Sequence, residues 1–443
     1  MMGRKNFLFN FFKLQSDTTI SAFDFTKIKR YFENNVTRHS YQVLTEQTCT
    51  DLDFDAFFFH VNKTSSCVGQ QYLYDRLRRI PYKSEMEECD EVIRFLKDNK
   101  ERTARYRKII SGLAHDDAYY ICSLFHDCHP VQSPMVIFII RMLQIMPLLF
   151  TAVFFVYSKG IWLLLIAVLI ITNIVFHYRN KQIQFIYMYS IPQFLKLVSV
   201  AKKISVETPF NKTYPDIERH LVSLKPLVRC LSRFKFDVKL ENDAVALLWS
   251  LKEMVSIFFL SEPNGLFRSF RLIEAKRADI EAVFTYVGQA DMLISVAHLQ
   301  ENLPCYCKPK WTDAGLSMTD VYHPLIEQCI PNTLDTFGKS VLLTGSNMSG
   351  KTTFIRTLAL NMLSAQTLDM CFAESFSGRR MRIHTAISLH DNLLESQSYY
   401  MKEVHAVKEM LAELYIKYNL EPAGGCGLNV CIDRDIWKQV VCF

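Results

Sequence analysis

The chain has 443 residues, of which 49% are hydrophobic and 22% are charged, so it is long enough for about two to four domains and more than one hydrophobic core. The formal net charge of +6 is small for this length. Composition alone therefore does not predict nucleic-acid binding, which is indicated by clustered Lys and Arg. The 13 cysteines are odd in number and have no framework spacing, which excludes a disulfide-rich secreted domain and predicts reduced cytosolic thiols.

The N-terminal segment, residues 1–50, contains Arg4 and Lys5 and then an aromatic run at Phe7–Phe12. The run is short and no small-residue cleavage site follows it, so the sequence does not predict a signal peptide. The simpler prediction is a short amphipathic segment that rests on a membrane or on the chain's own core.

The next segment, 51–133, has long charged side chains between apolar positions and is predicted to be a helical part. One of its helices is predicted to begin at Thr64 or Ser65 and to stop at Pro81. That helix carries three arginines that either face a phosphate or form a solvated surface: Arg76, Arg78 and Arg79.

Four potential metal ligands lie near the end of the same segment: Cys122, His126, Cys128 and His129. Their spacing matches none of the usual zinc arrangements. The sequence therefore does not favour a metal site here.

Residues 134–178 are predicted to form a transmembrane hairpin. Two apolar runs, Met135–Val156 and Ile161–Phe176, are separated by the short turn Tyr157–Gly160, and a helix of about 20 apolar residues spans the hydrocarbon of a bilayer. The alternative is a pair of buried helices in a large soluble core, because Arg141 is costly in lipid unless it snorkels or pairs.

The charges that flank the runs predict the orientation of the hairpin. Arg179 and Lys181 follow the second run directly, whereas the turn contains only Lys159. By the positive-inside tendency both chain termini are predicted to be cytoplasmic, as expected for a multi-pass protein of the membrane.

Residues 179–302 are predicted to be a second helical part. The stretch Asn242–Leu260 is strongly apolar but is divided by Lys252 and Glu253, so a buried core helix is a better prediction than a third span. Arg277–Leu299 is a second long helical candidate, although Gly288 weakens it by about 1 kcal/mol.

The last segment, 303–443, contains the sequence VLLTGSNMSGKTTFIR at Val341–Arg356, which fits the G-x-x-x-x-G-K-[ST] pattern of a phosphate-binding loop. The apolar run Val341–Leu343 is predicted to be a buried strand, and the chain is predicted to become helical from Thr352. The two glycines of the pattern let backbone N–H groups turn toward an anion at a helix N-terminus. Lys351 is predicted to reach the β- and γ-phosphates of ATP or GTP, and the Thr352 hydroxyl is predicted to bind Mg²⁺. The predicted nucleotide-binding residues are Gly345, Ser346, Asn347, Met348, Ser349, Gly350, Lys351, Thr352 and Thr353.

The sequence around this loop resembles that of the MutS family, the DNA mismatch-repair ATPases related to the ABC class. The pair Asn347–Met348 is typical of the family's loop, whose usual form has Pro at the position of Ser346 and Ser at the position of Thr352. Upstream, VYHPLIEQ resembles the family's His-Pro segment, and YVGQADMLISVAHLQEN resembles its Asp-x-Leu-x-Ser-x-Ala helix. Residues Leu52–Pro81 resemble the start of the family's lever domain, with its Thr-Ser-x-x-Gly phrase.

Downstream of the loop, Phe372–Ser375 resembles the family's Phe-Val-Pro-Ala strand without its proline, and TAISLHDNLLESQSYYMKEV resembles the loop and Ser-Thr-Phe-Met-x-Glu phrase that follow. On that match Ser398 takes the place of the serine that reaches the γ-phosphate of the partner subunit's nucleotide. Asp391 lies in the loop before it and Glu403 just after it.

The resemblance implies an α/β P-loop NTPase domain of the MutS/ABC type joined to a mostly α-helical lever domain, here with a transmembrane hairpin. It further implies ATP and Mg²⁺ as cofactors, a homodimer in the full-length form, and DNA as a possible partner. The hairpin makes the pattern similar to a membrane-anchored bacterial branch of the family, which implies the bacterial inner membrane.

Four departures from the family pattern bear on function. No mismatch-reading domain or Phe-x-Glu wedge precedes the lever-like part, and the hairpin stands where soluble members have connecting helices and the clamp. The aromatic residue that stacks on adenine is not evident, since Cys329 or Ile330 falls there. The Walker B Asp-Glu pair is not found after residue 411, because Arg434 follows Asp433 where the Glu is needed, which predicts a truncated or frame-shifted C-terminus.

These departures leave several functions open. The first is a membrane-anchored MutS-like protein that binds ATP and acts on mismatched or branched DNA, and whether it hydrolyses ATP is left open. The second is a nucleotide switch that acts on a protein or membrane partner without DNA. A non-functional fragment is the third. A transporter subunit is disfavoured because two spans are too few for a pore and no Leu-Ser-Gly-Gly-Gln phrase occurs.

Overall fold

A computed structural model describes residues 25–35, 40–82, 89–127, 134–187, 189–206, 208–211, 213–232, 254, 269–313, 315–336, 339, 341, 343–344, 346, 349–385, 387 and 440–442. The described residues are mostly helical and include a small sheet. They divide into two compact units, which are described separately. Unit 1 consists of 1–35, 65–71 and 104–291, and unit 2 consists of 36–64, 72–103 and 292–443.

The helices are numbered in chain order. They are α1 (Phe25–Asn34), α2 (Glu46–Asp51), α3 (Phe54–Val61), α4 (Cys67–Arg78), α5 (Asp90–Asp98), α6 (Lys100–Ile110), α7 (Ser123–His126), α8 (Pro134–Tyr157), α9 (Gly160–Tyr187), α10 (Ser190–Ser205), α11 (Thr208–Asn211), α12 (Ile217–Leu231), α13 (Arg277–Asn302) and α14 (Lys351–Leu368). Short 3₁₀ turns lie at Ser111–Leu113 and Asp116–Cys122. The helices predicted after Ser65 and from Arg277 are confirmed as α4 and α13, and the core helix predicted at Asn242–Leu260 lies outside the described residues except for Met254.

The strands are β1 (Gln42–Val43), β2 (Arg79–Ile80), β3 (Lys310–Trp311), β4 (Ser317–Val321), β5 (Asn332–Asp335), β6 (Ser375–Gly378), β7 (Arg382–His384) and β8 (Val440–Cys442). β1 and β2 form an antiparallel pair. The largest sheet has the order β3-β6-β4-β5, in which β3 is parallel to β6 and β4 is antiparallel to both of its neighbours. β7 and β8 pair in parallel.

The core of unit 1 is formed by helices and aromatic side chains. The ring of Tyr31 in α1 lies 4.8 Å from that of Phe284 in α13, and Phe125 packs on the same Phe284 ring at 5.3 Å. Arg277 at the start of α13 donates to the carbonyls of Phe125, His126 and Asp127. The guanidinium thus satisfies carbonyls that α7 leaves without helical partners at its C-terminal end.

Two long apolar helices of unit 1, α8 and α9, pack against each other as a hairpin whose turn is Ser158–Lys159. Asn173 is fully buried and its Nδ2 donates to the carbonyl of Leu143 at 3.3 Å, while the rings of Phe150 and Trp162 lie 5.6 Å apart. Many of the other large apolar side chains of the hairpin are exposed, among them Met135, Phe138, Leu148, Leu149, Phe155, Val156, Leu163, Leu164, Ile171 and Val175. The two predicted helices and the short turn between them are confirmed, and their position in a membrane stays a prediction.

Among the described residues, two helices are long and apolar enough to cross a membrane: Phe138–Tyr157 and Arg277–Asn302. Most of the first is exposed, whereas most of the second is buried. A buried helix of this composition is also what a soluble core contains. The shorter apolar stretch Gly160–Val175 is the other half of the hairpin.

Two sequence predictions about unit 2 are wrong. Val341 and Leu343 do not form a buried strand, because they are 55% and 39% exposed and none of the described strands pairs with them. A central strand needs a neighbour on each edge and cover on both faces. The loop therefore follows an irregular segment in the described part of the chain.

The second wrong prediction concerns the three arginines of α4 and β2, which neither face solvent nor are open to a phosphate. Arg76 is buried and donates to the carbonyl of Thr367 at 3.1 Å. Arg78 is buried against Glu46 at 2.6 Å, and Arg79 against Asp75 at 2.7 Å. The partners of Arg76 and Arg78 are distant in sequence, and a charge pattern along one helix does not reveal them. Arg79 and Asp75 are four residues apart, and the pattern does not reveal that this pair is buried.

Candidate nucleotide site

The phosphate-loop motif ends at a left-handed glycine. Gly350 has φ of +83° and directly precedes α14, which begins at Lys351. Residues with a β-carbon rarely adopt this conformation, so the second glycine of the motif is required by the backbone. The first N–H groups of α14 have no helical acceptors and face the exposed loop, which is the arrangement that favours an anion. The predicted start of the helix is confirmed to within one residue.

The ammonium of Lys351 folds over the loop. Its Nζ donates to the carbonyl of Ser346 at 2.5 Å and lies 3.4 Å from the hydroxyl of Ser349. Thr352 and Thr353 are exposed on the first turn of α14. The structure therefore brings together Ser346, Ser349, Gly350 and Lys351, with the two threonines beside them.

The other predicted site residues lie outside the described residues. These are Gly345, Asn347 and Met348 in the loop, and Ser398 with its neighbours Asp391 and Glu403. Asp433 and Arg434 are also outside them. Their predicted roles stay predictions.

A charged pair joins α14 to the segment before α3. Arg356 Nη1 lies 2.7 Å from Asp53 Oδ2, and Asp53 itself has a left-handed φ of +49°. Neither residue belongs to the phosphate-loop motif 345–353. The pair fixes the second turn of the helix that begins at the loop.

His323 lies near this pair and His60 lies near His323, and both histidines are held neutral. Burial, and secondarily the charge of Arg356, lowers the pKa of His323 to about 4. Burial, with smaller contributions from Lys63 and His323, lowers the pKa of His60 to about 4. The Nδ1 of His323 accepts from the N–H of Leu325 at 3.2 Å, so this histidine of the His-Pro segment shapes the backbone that follows it.

From Thr357 to its last residue, Leu368, α14 is buried on all sides. Asn361 links this helix to two neighbouring segments: its Oδ1 accepts from the N–H of Phe372 at 2.7 Å, and its Nδ2 donates to the carbonyl of Tyr322 at 3.3 Å. The side-chain amide of Asn361 thus provides a hydrogen-bond partner for the backbone of both segments. The helix behind the loop is therefore fixed by hydrogen bonds as well as by apolar packing.

The Thr-Ser-x-x-Gly motif before α4 and the Asp-x-Leu-x-Ser-x-Ala motif of α13 make specific contacts. In unit 1, the carboxylate of Asp291 accepts from the N–H of Ser65 at 2.9 Å and from the N–H and hydroxyl of Ser66 at 2.9 and 2.6 Å. These donors lie just before α4, so Asp291 caps that helix. In unit 2, the hydroxyl of Ser295 accepts from the N–H of Lys63 at 2.8 Å.

Asp291 is fully buried, and that burial raises the pKa of its carboxyl to about 6, while the hydrogen bonds from Ser65 and Ser66 and the charge of Arg107 act in the opposite direction. The packing is close enough that the backbone of Gly69 leaves no room for a side chain beside it. The sequence contained the residues of this contact but no local pattern that pairs them.

Within the described ranges, no group of three or more His, Cys, Asp or Glu side chains could hold a metal ion. Of the four potential ligands considered near residue 125, Cys128 and His129 lie outside those ranges. The thiol of Cys122 donates to the carbonyl of Tyr119 at 3.2 Å.

Comparison with known proteins places the loop and its helix in a defined class of domain. Residues 341–417 match the family model described as MutS domain V. This match begins at the irregular segment before the loop and includes all of α14.

Individual relatives agree with the domain match. The chain is 31% identical over 151 residues to the DNA mismatch repair protein msh3 of Botryotinia fuckeliana, which covers 31% of this chain and 13% of the relative. It is 36% identical over 133 residues to MutS protein homolog 4 of Mus musculus, which covers 28% of this chain and 14% of the relative. The chain thus spans about one seventh of the length of these relatives, and the matches support the MutS family for this part of the chain.

Proposed function

We propose that the chain is a membrane-anchored MutS-type nucleotide-binding protein in which the loop 345–353 binds ATP with Mg²⁺. The observation that carries the proposal is the match of residues 341–417 to MutS domain V, together with a left-handed Gly350 and a Lys351 ammonium at the start of α14. A β- or γ-phosphate would replace the Ser346 carbonyl as the partner of Lys351. The Thr352 hydroxyl would bind the Mg²⁺.

The proposed anchor is the hairpin of α8 and α9. Its exposed apolar side chains and the buried Asn173, which bonds from one helix to the other, fit a pair of helices surrounded by lipid, where each backbone group is satisfied within its own helix. Both termini then lie in the cytoplasm of a bacterial cell, where ATP is available. Exposed side chains of this kind on a soluble surface would form an apolar patch of unusual size.

The proposed assembly is a homodimer in which Ser398 reaches the γ-phosphate bound to the partner subunit, and the proposed ligand is mismatched or branched DNA. The relatives named for DNA mismatch repair support this part. Hydrolysis is not included in the proposal, because the sequence lacks a recognisable Asp-Glu pair after residue 411.

The experiment is binding of a fluorescent ATP analogue by the full chain in detergent, with and without Mg²⁺. Lys351→Ala is expected to weaken binding at least about tenfold, because it removes the charge that faces the phosphates. The matched control is Lys339→Ala, a nearby exposed lysine outside the motif, and it should leave affinity unchanged. Equal binding by wild type and Lys351→Ala would overturn the assignment of the site.

A second function, a nucleotide switch for a protein or membrane partner without DNA, is favoured by the burial of Arg76, Arg78 and Arg79. Those arginines were the most evident phosphate contacts of the lever-like part. Duplex or branched DNA should bind with an affinity that falls steeply between about 50 and 200 mM salt if phosphates are contacted. A pull-down of partners that survives nuclease treatment, with no DNA binding at any salt, would support the switch instead.

A further inference from the structure

Three cysteines of unit 2 lie on two chain segments that run beside each other. Cys307 and Cys371 form an antiparallel β-bridge, in which the N–H of each donates to the carbonyl of the other at 3.0 and 2.9 Å. Two residues away, the thiol of Cys305 lies 3.6 Å from the carbonyl of Ala373. Residues i and i+2 of an extended segment share a face, so Cys305 and Cys307 lie on the same side.

The backbone geometry of the bridge suits a disulfide. Residues that exchange both hydrogen bonds in an antiparallel pair have Cα atoms about 5.5 Å apart, which is within the range of about 4.4 to 6.8 Å found for disulfides. Side chains of directly opposed residues lie on the same face of an antiparallel pair, so the thiols of Cys307 and Cys371 are neighbours across the bridge. The thiol of Cys371 also lies 4.0 Å from the carbonyl of Asn361. Closure of the disulfide therefore needs the Cβ atoms, about 4.5 to 5.5 Å apart in an opposed pair, to approach to about 3.5 to 4.5 Å.

The three thiols differ in access and in acidity. Cys305 is exposed, Cys307 is half-buried and Cys371 is fully buried. The neighbouring Cys371 thiol lowers the pKa of Cys307, whereas burial, and then the neighbouring Cys307 thiol, raises the pKa of Cys371 well above its usual range. Burial raises the pKa of Cys305 as well. The attacking thiolate is therefore Cys307, and the thiol positioned to resolve it is Cys371.

We propose that Cys307 and Cys371 form a peroxide-sensitive dithiol site that closes to a disulfide across the β-bridge. This site is independent of the proposed nucleotide function. Disulfides of cytosolic proteins are usually transient ones that sense oxidants, so the site agrees with a chain whose other thiols stay reduced.

The chemistry balances with hydrogen peroxide as the oxidant. The thiolate of Cys307 attacks one peroxide oxygen, the O–O bond breaks, and Cys307 becomes a sulfenic acid while hydroxide leaves. The sulfur of Cys371 then attacks the sulfur of Cys307, the S–O bond breaks, and the thiol proton leaves with the second hydroxide as water. Two thiols and one peroxide give one disulfide and two waters, and a dithiol reductant reverses the bond.

The bond would join Cys307, three residues before β3, to Cys371 in the segment that follows α14. Residues 308–370, with the phosphate-loop motif, would then lie inside a closed covalent loop. Because a long loop is closed, the oxidised chain is expected to unfold at a midpoint higher by roughly 5 °C or more.

The test uses the full chain in detergent, treated with a small molar excess of hydrogen peroxide, blocked with N-ethylmaleimide and digested without reductant. Mass spectrometry is expected to find a peptide pair joined through Cys307 and Cys371, which dithiothreitol separates. A Cys305–Cys307 bond, or Cys307 and Cys371 both alkylated after treatment, would overturn the proposal.

Variants distinguish disulfide formation at this site from unspecific oxidation of cysteines. Cys371→Ala is expected to abolish the joined peptide and to leave a Cys307 sulfenic acid that dimedone traps, whereas the control Cys329→Ala should leave the joined peptide unchanged. Cys307→Ser, at the half-buried position, gives a second route if the buried substitution prevents folding, and it should leave Cys371 as a free thiol after peroxide. Persistence of a Cys371 disulfide in Cys307→Ser would contradict the assignment.

Discussion

A β-carbon at Gly69 would lie 2.1 Å from Asp291 Oδ2, so the close approach of these two residues restricts position 69 to glycine. Gly69→Ala is expected to destabilise the chain by about 2 to 4 kcal/mol, because the carboxylate must leave its three donors or α4 must shift. The control is Gly112→Ala, where a β-carbon meets nothing within 4 Å and a change within about 0.5 kcal/mol is expected. Thermal unfolding followed by circular dichroism measures both, and equal midpoints would contradict the contact.

Asp291 gives a prediction about pH. Its folded-state pKa is raised to about 6 from an ordinary value of 3.8, so the folded state holds the proton more tightly than the unfolded state. The stability that protonation contributes is full below pH 3.8 and is lost as pH rises through about 6, an effect on the order of 2 to 3 kcal/mol.

The measurement for Asp291 is the difference in unfolding free energy between wild type and Asp291→Asn across this pH window. The asparagine does not titrate, so wild type should lose stability relative to the variant between about pH 4 and pH 6 and keep a constant difference above pH 7. His60 and His323, whose pKa values are lowered to about 4, act in the opposite direction in both proteins and cancel. A pH-independent difference would show that Asp291 does not carry the proton.

At the scale of elements, α14 is held at both ends by charged partners. Arg356 pairs with Asp53 near its start, and Arg76 donates to the carbonyl of Thr367 in its last turn. A cation at this end of a helix satisfies a carbonyl without a helical partner and interacts favourably with the helix dipole.

Arg76→Ala is therefore expected to destabilise unit 2 by about 2 to 4 kcal/mol, because it leaves the Thr367 carbonyl without this donor and opens a cavity. Arg94→Ala, which changes an exposed arginine of α5 in unit 2, is the control and should change stability by less than about 0.5 kcal/mol. Urea unfolding followed by tryptophan fluorescence compares the two. Similar losses for both variants would contradict a special role of Arg76.

The hairpin of α8 and α9 gives the second prediction at this scale. Asn173→Ala removes the hydrogen bond from Nδ2 to the carbonyl of Leu143 and is expected to weaken helix association by about 0.6 to 2 kcal/mol in a lipid environment. Thr172→Ala is the control, because its hydroxyl bonds to Val168 within its own helix. Unfolding of reconstituted protein by increasing mole fractions of SDS measures the difference, and equal transitions would show that Asn173 does not join the helices.

The elements also show which features the sequence predicts well. The start of α14 and the hairpin were predictable because glycine geometry, a loop motif and long apolar runs are local properties. The strand at Val341–Leu343 and the surface position of Arg76 were predicted wrongly, because strand pairing and the burial of a paired charge depend on distant residues. The Asp291–Ser66 contact and the Cys307–Cys371 bridge were not predicted, since neither partner is near the other in sequence.

At the scale of the whole molecule, the chain combines a stretch related to MutS domain V with a hairpin that has exposed apolar side chains. The relatives it matches are about seven times longer than the matched region, so their activities apply to this chain as proposals. The proposed function sets one requirement for each unit: lipid must cover the exposed apolar side chains of α8 and α9, and the loop 345–353 must be accessible to nucleotide.

This requirement predicts the topology of the whole chain in a bacterial host. Membranes washed with carbonate should retain the full chain, and deletion of residues 134–187 should release it into the soluble fraction. Alkaline phosphatase inserted after Lys159 should be active, because the turn is expected outside the cytoplasm, whereas the same enzyme fused at the C-terminus should be inactive. The control is insertion after Ser232, which follows α12 and is also expected to be inactive. Activity after Ser232 and at the C-terminus, with none after Lys159, would reverse the orientation and remove ATP from the side of the loop. Release of the full chain by carbonate would show that α8 and α9 do not span the membrane.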